Sequence, residues 1–409
     1  MVSLLTRRAA GSIAIAGALA FCMDAPVPAQ AQSSVKIGYA VSRTGPNAGG
    51  ASVTTIPNYE LWVKEVNAAG GLKLGDKRVP IEVVQYDDRS SAEEAARALE
   101  RLINQDKVDF ILPPWGTGLN LAVGPILHRA GYPHIAGTAV TDRAPDLAKR
   151  WPNSFWLLGT SAGAAESLVE LLVKLRGEGK IGDTVAMTSI ADGFGIDLSS
   201  AARPALTKAK FKLVYDKSYP IGTQDLAPII NEIKGLNPDV YISFSYPPDT
   251  LAITEQSRIA GFNPKVFYTG VGTAFPLYKQ RFGANAEGVM GIGGWDGDSP
   301  AIKTYLAKHK EANGGREPDR WASAVTYAGL QMLQQAIERV GKIDRAAVIK
   351  ELQSGSFETV IGPVKLVDNL PTKYWWVGQW QNGEFYGIGP ASNAGAKAAV
   401  VPKPAWKAQ

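Results

Sequence analysis

Short apolar runs alternate with amphipathic stretches along most of this chain, and that rhythm constrains the fold more than any other feature. Segments 35–41, 79–86, 108–112 and 132–136 read as strands, with helices at 56–69, 91–105 and 119–129 between them. The first helix carries Tyr59, Leu61, Trp62, Val63 and Val66 and is closed by Gly70-Gly71, while Ser91 and Glu94 have the spacing of a capping box. The rhythm restarts after Leu158. Strands at 184–190, 212–217, 239–245 and 265–269 alternate with helices at 163–176, 196–209, 224–234 and 248–260. Strands separated by helices of this length predict right-handed βαβ units and parallel sheets covered on both faces. Two consecutive sets of such units predict an α/β protein of two doubly wound parallel-sheet lobes. Helices at 299–311, 320–341 and 344–353 then follow one another without strands, so they are expected to cover the lobes already formed. Short strands at 361–367 and 373–380 come last.

The first 31 residues stand apart. Arg7-Arg8 precedes an apolar run, 9–21, and Ala29-Gln30-Ala31 forms a small-residue cleavage site, so 1–31 is expected to be a signal peptide removed after Ala31. The apolar run is too short to cross a bilayer as a helix. Thr6-Arg7-Arg8-Ala9 is a poor twin-arginine match, and Leu19-Ala20-Phe21-Cys22 is a poor lipobox because Phe21 stands where a small residue is needed. Removal of two arginines and one aspartate lowers the net charge from +5 to +4, and it removes the single cysteine. The remaining chain can then form no disulfide, no Cys-ligated metal site and no Cys nucleophile. With 45% hydrophobic residues it has enough apolar content for a large core. It has no basic tract that would direct it to nucleic acid.

In open parallel α/β sheets, ligands sit at the carboxyl ends of the strands. The richest loop of that kind is Pro113-Pro114-Trp115-Gly116-Thr117-Gly118, where glycine lets the backbone approach a ligand and the opening helix offers free N–H groups to an anion. Thr138 and Val140 end the next strand. Asp192 and Phe194, then Tyr246, then Val271 hold equivalent places in the second set. Each has a plainer reading as a tight turn, a lobe plug (Trp115) or a core aromatic (Phe194, Tyr246). Asp87-Asp88 reads as turn and cap residues. His128 and His309 read as helix-surface positions, His134 lies in a strand, and the three share no metal-ligand spacing. There is no G-x-S-x-G elbow, no P-loop and no H-E-x-x-H motif, and Gly116-Thr117-Gly118 lacks the third glycine of a dinucleotide fingerprint. No enzyme activity, metal or cofactor is expected.

Several short motifs occur in a telling order: Lys36-Ile37-Gly38, Thr44-Gly45-Pro46, Val66-Asn67-Ala68-Ala69-Gly70-Gly71, Tyr86-Asp87-Asp88, Trp115-Gly116-Thr117, Thr326-Tyr327-Ala328 and Ile361-Gly362-Pro363. Over 35–385 the chain thereby resembles the type I periplasmic solute-binding proteins of ABC importers, in the branch of the leucine/isoleucine/valine-binding protein. The resemblance implies two lobes joined by a three-crossover hinge, with crossings near 158, 287 and 362. The expected division is 35–158 with 288–361 in the first lobe, 159–287 with 362–390 in the second, and 391–409 as a C-terminal tail. It implies a carboxylate contact at Thr117, flanked by Gly116 and Trp115, further carboxylate and amino contacts at Thr138 and Val140, and second-lobe aromatics at Phe194 and Tyr246. The family's acid for a ligand ammonium falls on Val271, and one of its hydroxyl contacts falls on Val140. Its disulfide positions fall near Ser90 and on Gly116.

A buried ammonium without a counter-charge costs several kcal/mol, so such a cleft should reject zwitterions and keep carboxylates. The expectation is therefore a periplasmic, monomeric receptor for a small carboxylate of hydroxycinnamate or benzoate type, delivering it to ABC transporter permease subunits. Arg43 is expected to add a cation, and Trp321 and Trp295 aromatic surface. The alternative is a receptor for branched-chain or other hydrophobic amino acids or amides, with an acid such as Asp192 receiving the ammonium. An enzyme or a sensor domain is the other class; the first lacks a catalytic motif, and the second is expected to continue into a membrane helix.

Overall fold

The computed structural model of the chain describes residues 34–372, 377–393 and 395–407. The expected leader, its cleavage site and Cys22 lie outside the described residues, as do the first four positions of the strand expected at 373–380.

In the first lobe, Val35–Val41 lies between Ile81–Asp87 and Phe110–Leu112, all parallel. A separate parallel pair, His134–Ala136 with Ser154–Trp156, extends this lobe. The second lobe is one sheet of seven strands. Thr184–Ile190 is flanked by Lys212–Tyr219 on one side and by Val240–Phe244, Val266–Thr269 and Met290–Ile292 on the other, all parallel. Val377–Gln381 and Glu384–Gly389 complete it as antiparallel strands. The central strand Val240–Phe244 is buried at every position, as a strand covered on both faces must be, whereas the edge strand Lys212–Tyr219 exposes Lys212, Asp216 and Lys217.

Helices form where the periodicity placed them. Ser91 caps Ala92–Asn104 by accepting from the Glu94 N–H at 3.4 Å. The late helices Pro300–Ala312 and Ala322–Val340 pack on Ile56–Ala68 and so cover the first lobe. Asp87 and Asp88 are turn acceptors: Asp87 takes the Arg43 and Arg89 N–H groups, and Asp88 takes the Ser42 hydroxyl and the Ser90 N–H.

The second and third crossings lie later than the expected 287 and 362. Met290–Ile292 still pairs inside the second sheet, buried between Val266–Thr269 and Val377–Gln381. The hairpin of Ser356–Thr359 with Gly362–Lys365 packs on Ala322–Val340, and the Asn369 carbonyl accepts from Trp156 N–H, so both stay with the first lobe. Within the expected C-terminal tail, residues 395–407 dock on the second lobe. The Lys403 N–H donates to Lys265 O, the Trp406 indole donates to Phe262 O, and the Trp406 ring meets Phe267 edge-on.

Both sheets change winding direction at their first strand. Val35–Val41 and Thr184–Ile190 each have neighbours on either side that continue in opposite senses, which opens a crevice at the carboxyl ends. The loops after these strands and their partners carry the residues described next.

Candidate functional site

Phe110–Leu112 ends in a loop that turns abruptly at Gly116, whose φ of +94° suits glycine and which starts the helix Thr117–Arg129. The N-cap Gly116 offers no side chain to cap that helix, so its first N–H groups are left to acceptors from other elements. The loop is tied from beneath. Asn120 Nδ2 donates to the carbonyls of Pro114 and Gly116 at 2.9 and 2.8 Å, and its Oδ1 meets His134 Nε2 at 2.9 Å. Burial pushes His134 down to about 3, so this imidazole is a neutral strut. The Tyr59 hydroxyl donates to Pro113 O.

The hydroxyls expected to meet a carboxylate are engaged with the loop itself. Thr138 Oγ1 accepts from Gly116 N–H at 3.1 Å, and Thr117 Oγ1 accepts from Val140 N–H at 3.1 Å while donating to Val140 O at 3.3 Å. From the opposite lobe, Tyr246 reaches the start of the same helix. Its hydroxyl donates to Asp192 Oδ2 at 2.7 Å and accepts from the Thr117 N–H. Burial and the Asp192 charge hold that phenol far above its ordinary range. Trp115, Tyr246 and Phe194 form a ladder with centroids 5.2 and 5.1 Å apart, the second pair nearly parallel at 23°. Trp115 can sit there because Gly50 has no side chain: a Cβ on Gly50 would lie 2.1 Å from the indole ring.

These groups converge on one cleft wall. Trp115, Gly116, Thr117, Thr138, Val140, Phe194, Tyr246, Val271 and Trp321 line it together with Thr54, Leu158, Phe275, Asp319 and Ala322, and leave about 10 Å³ between them. That is about the room of a single water, so a larger ligand enters only as lobes or rings move apart. Trp321 Nε1 is buried there with no hydrogen-bond partner among the described residues, a donor waiting for an acceptor.

Arg43 does not line this wall. Its guanidinium is held instead by Gln85 Oε1, to which it donates, and by Glu60, with which it pairs at 3.7 Å. Trp295 is likewise absent from the wall and lies beneath the Arg320 guanidinium.

Sequence reasoning missed Asp319. This buried carboxylate belongs to the wall although no acid aligns with Val271. Both of its oxygens are taken: Oδ1 accepts from Trp321 N–H at 2.8 Å, and Oδ2 accepts from Thr54 Oγ1 at 2.8 Å and from the Ser323 N–H and hydroxyl. It thus holds the start of Ala322–Val340. The Asp319/Ser323 pair just before an apolar periodic run was the available signal, and it reads as a helix start rather than as a site. Asp192 is similarly spent, since Oδ1 accepts from the Phe194 and Gly195 N–H groups. Burial pushes both carboxyls up.

A further correction concerns His309. It is buried against Tyr305, not at a helix surface, because Pro300–Ala312 turns that face toward Ile56–Ala68.

A family model described as periplasmic binding protein matches residues 34–384. The chain is 26% identical over 389 residues to Leu/Ile/Val-binding protein homolog 7 of Brucella suis, covering 90% of this chain and 94% of that one. Among solved structures it is similar to a Rhodopseudomonas palustris solute-binding protein in complex with benzoate, at 20% identity and a TM-score of 0.77, covering 90% of this chain and 99% of that one. It is similar also to a branched-chain amino acid transporter substrate-binding protein of Streptococcus pneumoniae in complex with isoleucine, at 22% identity and a TM-score of 0.73, covering 91% and 100%. With two parallel-sheet lobes meeting at their strand ends and a model match over most of its length, the chain belongs to the periplasmic binding protein family.

Proposed function

We propose that this substrate-binding receptor of ABC transporters takes a small aromatic carboxylate, of benzoate or hydroxycinnamate type, in the cleft between its lobes and delivers it to membrane permease subunits from the periplasm. The observation that carries the reading is the state of the two nearby acids. Asp319 and Asp192 each accept from at least three donors of the protein itself, so a ligand ammonium would have to compete with those donors for either carboxylate. The anion side is the reverse: the uncapped start of Thr117–Arg129 presents N–H groups and the Thr117 and Thr138 hydroxyls stand beside it. Trp115, Phe194, Tyr246 and Trp321 supply flat apolar surface for a ring. The Tyr246 hydroxyl, seated between Thr117 N–H and Asp192, marks where a ligand carboxylate would compete. The R. palustris protein in complex with benzoate shares the fold, which makes such a ligand compatible with it.

The second reading is a hydrophobic amino acid. Asp319 in the cleft wall favours it, since its charge would attract an ammonium if Thr54 or Ser323 released an oxygen. Parallel calorimetric titrations with benzoate, 4-coumarate and leucine separate the two. A saturable aromatic-acid site with no leucine site is expected; a leucine site alone would end the aromatic assignment and leave the receptor role standing.

A further inference from the structure

Beside the cleft lies a much larger cavity of about 720 Å³. One wall comes from the first lobe, with Ser52, Val53 and Pro57, His309 and the segment 313–317. The other comes from the second lobe, with 275–277, Lys279, Gln280, Gly283, Trp380, Gly383 and Glu384. It is separate from the ligand wall described above and touches it only at Phe275.

Its charges do not balance. Lys279, Arg316 and Arg320 line it against Glu317 and Glu384, and both carboxylates are directed to Arg320, through Nη2, at 2.8 and 3.4 Å. Glu317 is shared further with Lys310 at 2.8 Å. Among the described residues no carboxylate pairs with Lys279 or with Arg316, whose Nε turns to the Asn313 carbonyl. Arg320 is itself over nine-tenths buried, and among the described residues its Nη1 has no hydrogen-bond partner. A buried guanidinium nitrogen left unsatisfied is costly, and an anion is the partner it favours.

The cavity also has an apolar side. Phe275, Leu277 and Trp380 line it, and Leu277 is half exposed, an unusual place for a large aliphatic side chain unless something covers it. His309 adds a polar acceptor. Its Nδ1 lies 3.2 Å from the Arg316 carbonyl, which can only accept, so Nδ1 carries the proton and the unpartnered Nε2 keeps its lone pair.

We propose that this cavity is a second binding site, for an amphiphilic organic anion, in which Arg320, Arg316 and Lys279 receive the anionic group and Phe275, Leu277 and Trp380 pack its apolar body. Its walls come from both lobes, so the bound anion spans them. The site is independent of which ligand occupies the cleft beside Thr117.

The probe is 8-anilinonaphthalene-1-sulfonate, an amphiphilic anion suited to a cavity of this size, titrated into the full chain by fluorescence with the cleft saturated by benzoate and without it. Wild type is expected to bind one equivalent saturably. The double variant Lys279→Gln/Arg316→Gln changes two exposed side chains, so the fold is retained, and it should bind at least fivefold more weakly. Thr117→Val should bind the probe as wild type does. Raising salt from ~0.01 M to ~0.15 M shortens the screening length from ~30 to ~8 Å and should weaken the wild-type site more than the double variant. Absence of a saturable equivalent, equal affinity in wild type and the double variant, or loss in Thr117→Val instead would each overturn the proposal. Failure of benzoate to bind would end the aromatic-acid reading without touching this result.

Discussion

Replacing Thr117 with valine separates its two duties. In the fold, the hydroxyl accepts from Val140 N–H at 3.1 Å and donates to Val140 O at 3.3 Å, both fully buried. Valine leaves that N–H unmade, which costs about 1–3 kcal/mol. In binding, the single hydroxyl proton must turn from Val140 O to the ligand carboxylate. A hydrogen bond to a charged group is worth about 1.5–3 kcal/mol and the neutral bond given up about 0.5–1.5, so the net loss is about 1–2 kcal/mol. At about 1.4 kcal/mol per factor of ten, affinity should fall roughly 5- to 30-fold. Urea unfolding reads the first quantity and benzoate calorimetry at pH 7 the second, with Thr117→Ser as the variant that keeps the hydroxyl. A stability loss with unchanged affinity would show that the hydroxyl serves the loop alone and would refute its role toward the ligand.

Gly50→Ala would drive a methyl into the Trp115 ring, costing about 1–3 kcal/mol of overpacking and weakening any ring-stacking ligand; calorimetry and a melting curve check both. Asp249 accepts from Tyr246 N–H and from the Tyr219 hydroxyl, and burial pushes its carboxyl up to about 6. The folded chain therefore holds this proton more tightly than the unfolded one. The stabilisation is complete below the ordinary carboxylate range and is lost as pH rises through about 6, an effect of about 2–3 kcal/mol. Asp249→Asn should flatten that slope in urea titrations from pH 4 to 7, and an unchanged slope would assign it elsewhere. Lys403 runs the other way: burial brings its ammonium down to about 7, so docking of the C-terminal segment strengthens as pH rises through 7 toward the ordinary lysine range. Lys403→Met should remove that dependence, read as protease protection of the segment.

The fold and most of the cleft were legible because both are local consequences of one pattern. A parallel strand must end at a loop before its covering helix, so Trp115, Thr117, Thr138, Phe194, Tyr246 and Val271 could be placed at strand ends from apolar runs alone. What escaped was non-local. Asp319 reaches the wall because the chain returns over the first lobe after Ile292, and only that return brings its carboxylate to Thr54. Met290–Ile292 is too short to show a strand period, and its partners lie some twenty residues upstream and nearly ninety downstream. Arg43 follows a strand end like the others, but Glu60 and Gln85 hold it first.

The same comparison sharpens the electrostatic argument. Loss of the aligned acid at Val271 alone leaves Asp319 able to replace it, so absence from one position decides little. The decisive quantity is how many donors each remaining carboxylate already satisfies. Asp319 holds the first turn of Ala322–Val340 through Trp321 and Ser323 N–H, and Asp192 holds Gly193–Lys208 through Phe194 and Gly195 N–H. Turning either toward an ammonium would strip a helix of its cap, which costs about 0.5–2 kcal/mol, as well as desolvating the ligand charge. A carboxylate ligand asks for neither: the N-cap Gly116 brings no capping side chain, and the ligand competes only with the Tyr246 hydroxyl for the Thr117 N–H. The proposed selectivity for acids over zwitterions rests on two helix starts whose carboxylates are engaged and a third that has none.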